Sequence, residues 1–271
     1  MVDPADRVLR GIFDEDAELY HRIRPGYPAE LYDDLAELAA IGPGCRLLEI
    51  GPGTGKATVE LTRRGCHITA VELGANLAAV ARRNLAGYPR AEVVVSAFES
   101  WALPAEPFDV VLCATAFHWL DPAVRVTKSA DALRDGGALA VIETHHVDGG
   151  TADFFVEVQQ CYERFDPDTE PGHRLPPAAR IPAQLPEVAA SDRFGPLTFR
   201  RYEWEVAYST AGYLDLLSTY SGHRAMAARA EHLTCVAELI DRSFGGRISK
   251  RYLTQLCLAY RTGVRDPRRP G

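Results

Sequence analysis

The sequence lacks long apolar runs: 46% of its 271 residues are hydrophobic, yet no stretch of about 18 consecutive apolar residues occurs. Its first 20 residues, MVDPADRVLRGIFDEDAELY, are acidic and helical in pattern, whereas a signal peptide is basic and then apolar. We therefore expect a cytoplasmic protein with no membrane partner.

Positive charge is also scarce, because 30 lysines and arginines are set against 37 aspartates and glutamates, for a net charge of -7. Binding to nucleic acid needs a basic face that neutralises phosphates. We therefore expect a small-molecule partner and no nucleic-acid partner, with the oligomeric state open between monomer and homodimer. Residues 265–271, in an arginine-, proline- and glycine-rich stretch, are predicted to form a flexible tail.

Paired cysteine motifs are missing as well. The six cysteines lie far apart without a C-x-x-C pair, which argues against a zinc site or a compact disulfide framework. All six are predicted to be buried thiols. Asp109, Asp121 and Glu143 fall at predicted strand edges and turns without metal-ligand grouping, so no metal site is predicted.

Short apolar runs alternate with segments of helical periodicity over residues 45–147. The runs are apolar along their whole length, which is typical of parallel strands buried on both faces by helices. Gly65 and Gly87 stand where two of the intervening helices should end. The pattern predicts an α/β core with a mostly parallel sheet, preceded by an N-terminal helical lid segment at residues 1–44.

The pattern changes after Val147. Residues 148–198 are rich in proline and glycine and predict an insertion or cap, with one helix at about residues 152–165. Residues 199–264 predict a strand, two helices and a closing strand. Because little except helix separates these last two strands, we expect them to form an antiparallel pair at one edge of the sheet.

The stretch LLEIGPGTGKATVEL, residues 47–61, places glycines at every second position after a predicted strand. A phosphate-binding P-loop would need glycine and Ser or Thr where Ile50 and Ala57 stand. A dinucleotide fingerprint would need its third glycine one residue later than Gly55. The remaining template, E-x-G-x-G-x-G, lets the backbone run close under a flat nucleoside.

Two glutamates flank this glycine loop. Glu49, at the end of the first strand, can accept hydrogen bonds from a cationic amino group. Glu72 ends the second strand, where a carboxylate can accept from both ribose hydroxyls. S-adenosylmethionine has both a cationic amino-acid end and a ribose, and it is the predicted cofactor, with S-adenosylhomocysteine as its product.

Four motifs together, LLEIGPGTG, AVEL, FDVV followed by ATAFHWLDP, and LRDGGALAV, resemble the class I S-adenosylmethionine-dependent methyltransferases. The resemblance is to the UbiE-like and trans-aconitate-methyltransferase-like small-molecule branch, and it runs from about Tyr20 to Ala140. It implies a Rossmann-like fold with seven strands in the order 3-2-1-4-5-7-6, strand 7 antiparallel, and helical cap insertions.

The resemblance also implies a set of cofactor-binding residues. Tyr20 and Arg24 would close over the cofactor's carboxylate, with a surface ion pair as the alternative role for Arg24. Ala97 stands where an aspartate is common in the family, so adenine would be held by backbone groups around Phe98. The full set is Tyr20, Arg24, Glu49, Gly51, Pro52, Gly53, Gly55, Glu72, Leu73, Ala97, Phe98 and Thr115.

His118, just beyond the fourth strand, is the candidate catalytic base, and a pocket-wall role is its alternative. His145 and His146 follow the fifth strand, and we expect one of them to point into the cleft and the other away. For the cap aromatics, core packing is the alternative to acceptor contact. The predicted acceptor-pocket residues are Trp119, His145, Tyr213, Tyr220 and His223.

The expected reaction is methyl transfer from S-adenosylmethionine to a small molecule, with oxygen favoured over nitrogen or carbon as the acceptor atom. Such a displacement needs donor and acceptor held at attack distance in a dry pocket, and it needs no nucleophile on the enzyme. The alternative is a non-methylating enzyme or a ligand-binding module that keeps the same cofactor site.

Overall fold

The computed structural model describes residues 14–167 and 169–263. The predicted tail at residues 265–271 and the first thirteen residues of the predicted N-terminal segment lie outside these ranges. None of the helices in the described ranges combines the length and the apolar character needed to cross a bilayer.

Seven strands form one sheet in the order β3-β2-β1-β4-β5-β7-β6, as predicted. Strands β1 to β5 pair in parallel, whereas β7 is antiparallel to both β5 and β6. The strands are β1 (Arg46–Ile50), β2 (His67–Glu72), β3 (Ala91–Val95), β4 (Phe108–Ala114), β5 (Leu133–Gly150), β6 (Thr198–Ser209) and β7 (Arg247–Tyr260).

The sheet is covered on both faces, which explains why its strands are apolar without alternation. Leu47 packs into one buried cluster and its neighbours Leu48 and Ile50 into a second, because successive side chains leave a strand on opposite faces. The helices that precede and interrupt the parallel strands are α1 (Ala17–Ile23), α2 (Ala29–Leu38), α3 (Lys56–Arg63), α4 (Ala75–Asn84) and α5 (Arg125–Ala132).

The cap contains more helices than the sequence pattern indicates. In place of one helix there are two, α6 (Ala152–Glu157) and α7 (Gln159–Phe165), followed by the short α8 (Pro186–Ala189). In place of two C-terminal helices there are three, α9 (Thr210–Ser218), α10 (Ser221–Ala225) and α11 (Arg229–Ser243). Met226 ends α10 in an extended conformation, with a ψ angle of 126°, and so separates it from α11.

A disulfide joins Cys161 of α7 to Cys235 of α11. The prediction of six thiols is therefore wrong for these two residues, while Cys45, Cys66, Cys113 and Cys257 are free and buried. The pairing escaped the sequence because 74 positions separate the two cysteines, and only the packing of α7 against α11 brings them together.

Candidate active site

A cavity of about 630 Å³ opens at the carboxyl ends of the parallel strands, where open α/β sheets bind ligands. Its volume lies in the range of small-molecule sites. The loops after β1, β2, β3 and β4 line it together with the later part of β5, and α1 and residues 220–221 close it from the side.

The glycine loop forms the floor of the cavity. Gly51, Gly53 and Gly55 have φ angles of 65°, 59° and 81°, in the left-handed region that favours glycine. A Cβ at Gly51 would lie 2.7 Å from Cβ of Ala116, whereas a Cβ at Gly53 would meet only Tyr20, at 3.8 Å. The loop therefore needs glycine for its conformation, and at Gly51 for space as well.

Glu49 is 1% exposed, and it lines the cavity from the end of β1. Its Oε2 has no hydrogen-bond partner among the described residues. Burial, with a further contribution from the negative charge of Glu72, raises the pKa of Glu49 to about 7. An unpartnered buried carboxylate oxygen suits a cationic donor, because burying a charge alone is costly.

Glu72 is held differently from Glu49. Its two carboxylate oxygens accept hydrogen bonds from the backbone N–H groups of Gly53 and Gly74, each at 2.8 Å. Burial raises its pKa, and these two bonds oppose that shift. Glu72 therefore braces the glycine loop, a role that the sequence did not reveal, and each oxygen keeps a further lone pair for a hydroxyl group.

An apolar surface continues the cavity beyond Glu72. Leu73 is 44% exposed although it is apolar, and it lines the cavity together with Ser96 and Phe98. Ala97 lies between these two residues but is not part of the lining, and its carbonyl accepts the backbone N–H groups of Ser100 and Trp101. The cavity here offers leucine and phenylalanine surface, which suits a flat aromatic ring.

Helix α1 places Tyr20 and Arg24 along the side of the cavity. The Arg24 side chain donates to Thr219 through Nε, at 2.8 Å from Oγ1, and through Nη2, at 2.9 Å from the carbonyl oxygen. Its guanidinium carbon lies 4.1 Å from the ring centroid of Tyr220. No carboxylate among the described residues forms an ion pair with Arg24.

The part of the cavity beyond the glycine loop is here called the acceptor end, and it is lined by His118, Trp119, His145, His146 and Tyr220. His118 is exposed and lies in the 3₁₀ turn Phe117–Trp119, with its ring 4.8 Å from that of Trp119. The exposed His118 imidazole at the mouth of the cavity is therefore better suited to form part of the cavity wall than to act as the catalytic base.

His145 and His146, which were expected to follow the fifth strand, lie within β5, and both line the cavity, whereas one was expected to point away. Because successive side chains leave a strand on opposite faces, the cavity is lined from both faces of β5. His146 Nε2 lies 3.1 Å from Tyr220 Oη, while His145 Nε2 lies 3.1 Å from Gln255 Nε2. Burial is the main cause that lowers the pKa of His146 to about 2, so His146 is neutral.

Two predicted acceptor-pocket residues lie behind the cavity. Tyr213 is 3% exposed and packs against Phe154 and Phe155 in the cap. His223 Nε2 is hydrogen-bonded to Tyr162 Oη at 2.9 Å, and burial lowers the pKa of His223 to about 4. Neither residue lines the cavity, so both support its wall instead.

The sequence analysis missed Lys250 and Tyr27, whereas it included Thr115, which lines the cavity, among the cofactor-binding residues. Lys250 is 3% exposed, although its alternating context, RISKRY, is typical of a solvent-facing position. Thr115 has a φ angle of 53°, and its hydroxyl lies 2.9 Å from that of Tyr27. A positive φ in a β-branched residue is uncommon, and such strain often marks functional sites.

The described ranges contain no group of three or more His, Cys, Asp or Glu side chains arranged to hold a metal ion. The polar side chains that line the cavity include carboxylates, a guanidinium, imidazoles and phenols.

Comparison with known proteins adds independent information. The family model described as "Methyltransferase domain" matches residues 48–141. An uncharacterised methyltransferase of Mycobacterium tuberculosis is 37% identical over 123 residues, which are 45% of this chain and 48% of that protein. An uncharacterised methyltransferase of Geobacillus kaustophilus is 30% identical over 147 residues, 51% of this chain and 67% of that protein. The chain thus spans about half the length of the first relatives that it matches.

Among solved structures, a protein from Anaeromyxobacter dehalogenans, provisionally described as a type II methyltransferase, superposes with a TM-score of 0.60. The match covers 88% of this chain and 97% of that one at 23% identity. At that identity the likeness concerns the fold alone.

Proposed function

Since the chain belongs to the class I S-adenosylmethionine-dependent methyltransferase family, we propose that it transfers a methyl group from S-adenosylmethionine to a small-molecule acceptor. The observation that carries this proposal is Glu49, whose buried Oε2 lies in the wall of the cavity with no hydrogen-bond partner in residues 14–167 or 169–263. A cationic amino group would satisfy it, whereas a pyrophosphate would be repelled. The residues of the cavity therefore fit this cofactor.

The chain offers a separate contact for each part of the cofactor. Glu49 would hold the amino group and Arg24 the carboxylate, because a guanidinium suits a carboxylate. Glu72 would accept from the ribose hydroxyls, and Leu73 and Phe98 would pack against adenine. When bound there, S-adenosylmethionine supplies an electrophilic methyl group on a sulfonium.

The acceptor end supplies the other half of the site. Trp119 offers apolar surface, while His145, His146 and Tyr220 offer nitrogen and oxygen atoms that can orient a hydroxyl group. These side chains would hold the acceptor at attack distance and exclude water, which is the main contribution that a protein makes to methyl transfer. We therefore favour an oxygen acceptor, with His118 as a wall residue at the mouth.

The test is an assay of S-adenosylhomocysteine release during incubation with S-adenosylmethionine and a panel of small phenols, alcohols and amines. We expect release that depends on both the protein and one class of acceptor. Tight cofactor binding without release for any acceptor would instead support the non-methylating alternative. The Glu49→Gln variant should bind the cofactor about tenfold or more weakly, and Glu37→Gln, which changes an exposed residue of α2, serves as its control.

A further inference from the structure

Three side chains, Lys250, Tyr220 and His146, form a hydrogen-bonded chain at the acceptor end of the cavity. Tyr220 Oη lies 3.3 Å from Nζ of Lys250 and 3.1 Å from Nε2 of His146. Tyr220 and His146 both line the cavity, and Lys250 lies behind them. Two nitrogen atoms therefore converge on one phenol oxygen at the cavity wall.

Lys250 is buried without a counter-ion. It is 3% exposed, and among the described residues no carboxylate forms an ion pair with its Nζ. A buried ammonium without a carboxylate is costly, so the fold favours the neutral amine. Burial, with the nearby charge of Arg24, lowers the pKa of Lys250 well below its usual value. Its Nζ lies 6.0, 5.2 and 5.4 Å from the ring centroids of Tyr213, Tyr220 and Tyr252.

Building on the proposed function, we propose that Tyr220 and Lys250 form a proton relay that removes the hydroxyl proton of the methyl acceptor. His146 donates from Nε2 to one lone pair of Tyr220 Oη, and the Tyr220 hydroxyl donates to Nζ of Lys250. The second lone pair of Oη is then free to receive the acceptor's proton.

The step balances in protons and electrons. The O–H bond of the acceptor breaks as a new Oη–H bond forms, and the proton that Tyr220 carried passes to Nζ, which becomes an ammonium. The acceptor oxygen keeps the electron pair with which it binds the methyl group that the cofactor supplies. Because methyl transfer removes the positive charge of a sulfonium, the proton gained by Lys250 leaves the net charge of the site unchanged.

The proposed relay predicts the chemical class of the methyl acceptor. An alcohol or a phenol has a proton to lose and gains from a positioned base, whereas an aromatic thiol is already ionised near neutral pH and gains little. Tyr220 would touch the acceptor and is the catalytic residue. Lys250 acts through Tyr220, and His146 positions the phenol.

The protonation state of Lys250 can be measured without cofactor or acceptor. The chain contains only three lysines, Lys56, Lys128 and Lys250, so lysine labelled with ¹³C and ¹⁵N gives three side-chain NMR signals. Lys56→Arg and Lys128→Arg assign the Lys250 signal by elimination, even if Lys250→Met does not fold. We expect Lys250 to be neutral at pH 8. A Lys250 signal that stays cationic up to about pH 9 would overturn the relay.

Activity provides the second measurement, with small phenols and thiophenol as the probes. Tyr220→Phe keeps the ring but loses the hydroxyl, and it should lower kcat for phenols about 10²-fold or more while thiophenol is methylated nearly as before. Tyr202→Phe is the matched control, because it removes a hydroxyl that donates to Asp34, at 2.6 Å, and Tyr202 does not line the cavity. The control should stay within about threefold of the unmodified protein.

The pH profile separates a relay from a merely structural role. With phenols, kcat should fall as the pH drops below the pKa of Lys250, and Lys250→Met should lose this dependence. The other ionisable side chains that face the relay are Tyr20, Arg24, His145, Tyr162, Tyr208, Tyr213, His223 and Tyr252.

The outcomes keep the two proposals apart. If the unmodified protein methylates phenols and Tyr220→Phe slows phenols and thiophenol equally, the relay is wrong and the methyltransferase proposal stands. If the unmodified protein methylates no acceptor, the proposed function itself is contradicted, and the relay with it. Unchanged cofactor affinity of Tyr220→Phe, measured by calorimetry, would show that the loss does not arise from cofactor binding.

Discussion

At the residue scale, Glu49 and Glu72 end neighbouring strands, yet their carboxylates differ in hydrogen bonding. Backbone N–H groups donate to both oxygens of Glu72, whereas Oε2 of Glu49 is buried without a partner in the part of the chain that the structure describes. Burial raises the pKa of Glu49 from 4.5 to about 7. The folded chain therefore holds the Glu49 proton more tightly than the unfolded chain does, so this contribution to stability is present at low pH and is lost as the pH rises through about 7.

The direction of the Glu49 pKa shift gives a prediction for the protein without a bound ligand. Glu49→Gln removes the buried negative charge, so at pH 8 its free energy of unfolding should exceed that of the unmodified protein by up to about 3 kcal/mol. Near pH 4 the difference should vanish, because Glu49 is then protonated in both folded and unfolded chains. Urea unfolding across this pH range checks it. The prediction fails if the difference does not depend on pH or if Glu37→Gln shows the same change.

Gly51 and Gly53 of the same loop allow the cost of an unfavourable φ angle to be compared with the cost of a steric contact. Ala at Gly53 would have an unfavourable φ angle but open space, whereas Ala at Gly51 would also lie 2.7 Å from Cβ of Ala116. Gly53→Ala should therefore cost about 1 to 2 kcal/mol, and Gly51→Ala about 1 to 3 kcal/mol more. Thermal and urea unfolding of the two variants measure the difference, and equal costs would mean that contact with Ala116 does not restrict the loop.

Local spacing explains which site residues the sequence could predict. Glu49 and Glu72 lie in strands whose apolar runs are visible in the sequence, and the glycine loop follows the first of these strands. Glu49, Gly51, Gly53 and Glu72 line the cavity, whereas Gly55 caps the start of α3 and does not. Lys250 could not be found in this way, because its neighbours alternate as on an edge strand. It is buried because Tyr213 and Tyr220 of the cap lie over it, and these contacts span 30 or more positions of the chain.

At the element scale, the order of the strands could be predicted because each parallel strand is a short apolar run followed by a helix. The cap could not be predicted as well, since its helices are short and their ends depend on packing between distant segments. The aromatics Phe154, Phe155 and Tyr213 show the consequence, because they fill a buried cluster of the cap and do not line the cavity.

The disulfide between α7 and α11 gives a prediction at this scale. Because it closes a segment in which 74 positions separate the cysteines, reduction should lower the free energy of unfolding by about 4 kcal/mol in the chain-entropy description. Urea unfolding with and without a reductant measures this effect. The double variant Cys161→Ser, Cys235→Ser should have the reduced stability in both conditions. A reductant that leaves the unmodified protein unchanged would contradict the prediction.

At the scale of the whole molecule, the cavity carries opposite charges at different places. Glu49 and Glu72 lie at the glycine loop, while Arg24 and the aromatic rings around Lys250 lie towards the acceptor end. The sheet fixes the two glutamates, and Thr219 and Tyr220 of the cap fix the Arg24 guanidinium. Binding of a ligand with a cationic amino group should therefore depend on the charge of Glu49, and not only on the net charge of the protein.

The most direct measurement is calorimetric titration of S-adenosylmethionine into the protein between about pH 5.5 and pH 8, in buffers of different ionisation enthalpy. The cationic amino group favours ionised Glu49, so affinity should rise with pH, and binding below about pH 7 should release a proton from Glu49. Glu49→Gln should bind about tenfold or more weakly and release no proton, and NADH should bind poorly. The assignment of this cavity would be contradicted if the affinity for S-adenosylmethionine did not change with pH in either the unmodified protein or Glu49→Gln. It would also be contradicted if NADH bound more tightly than S-adenosylmethionine.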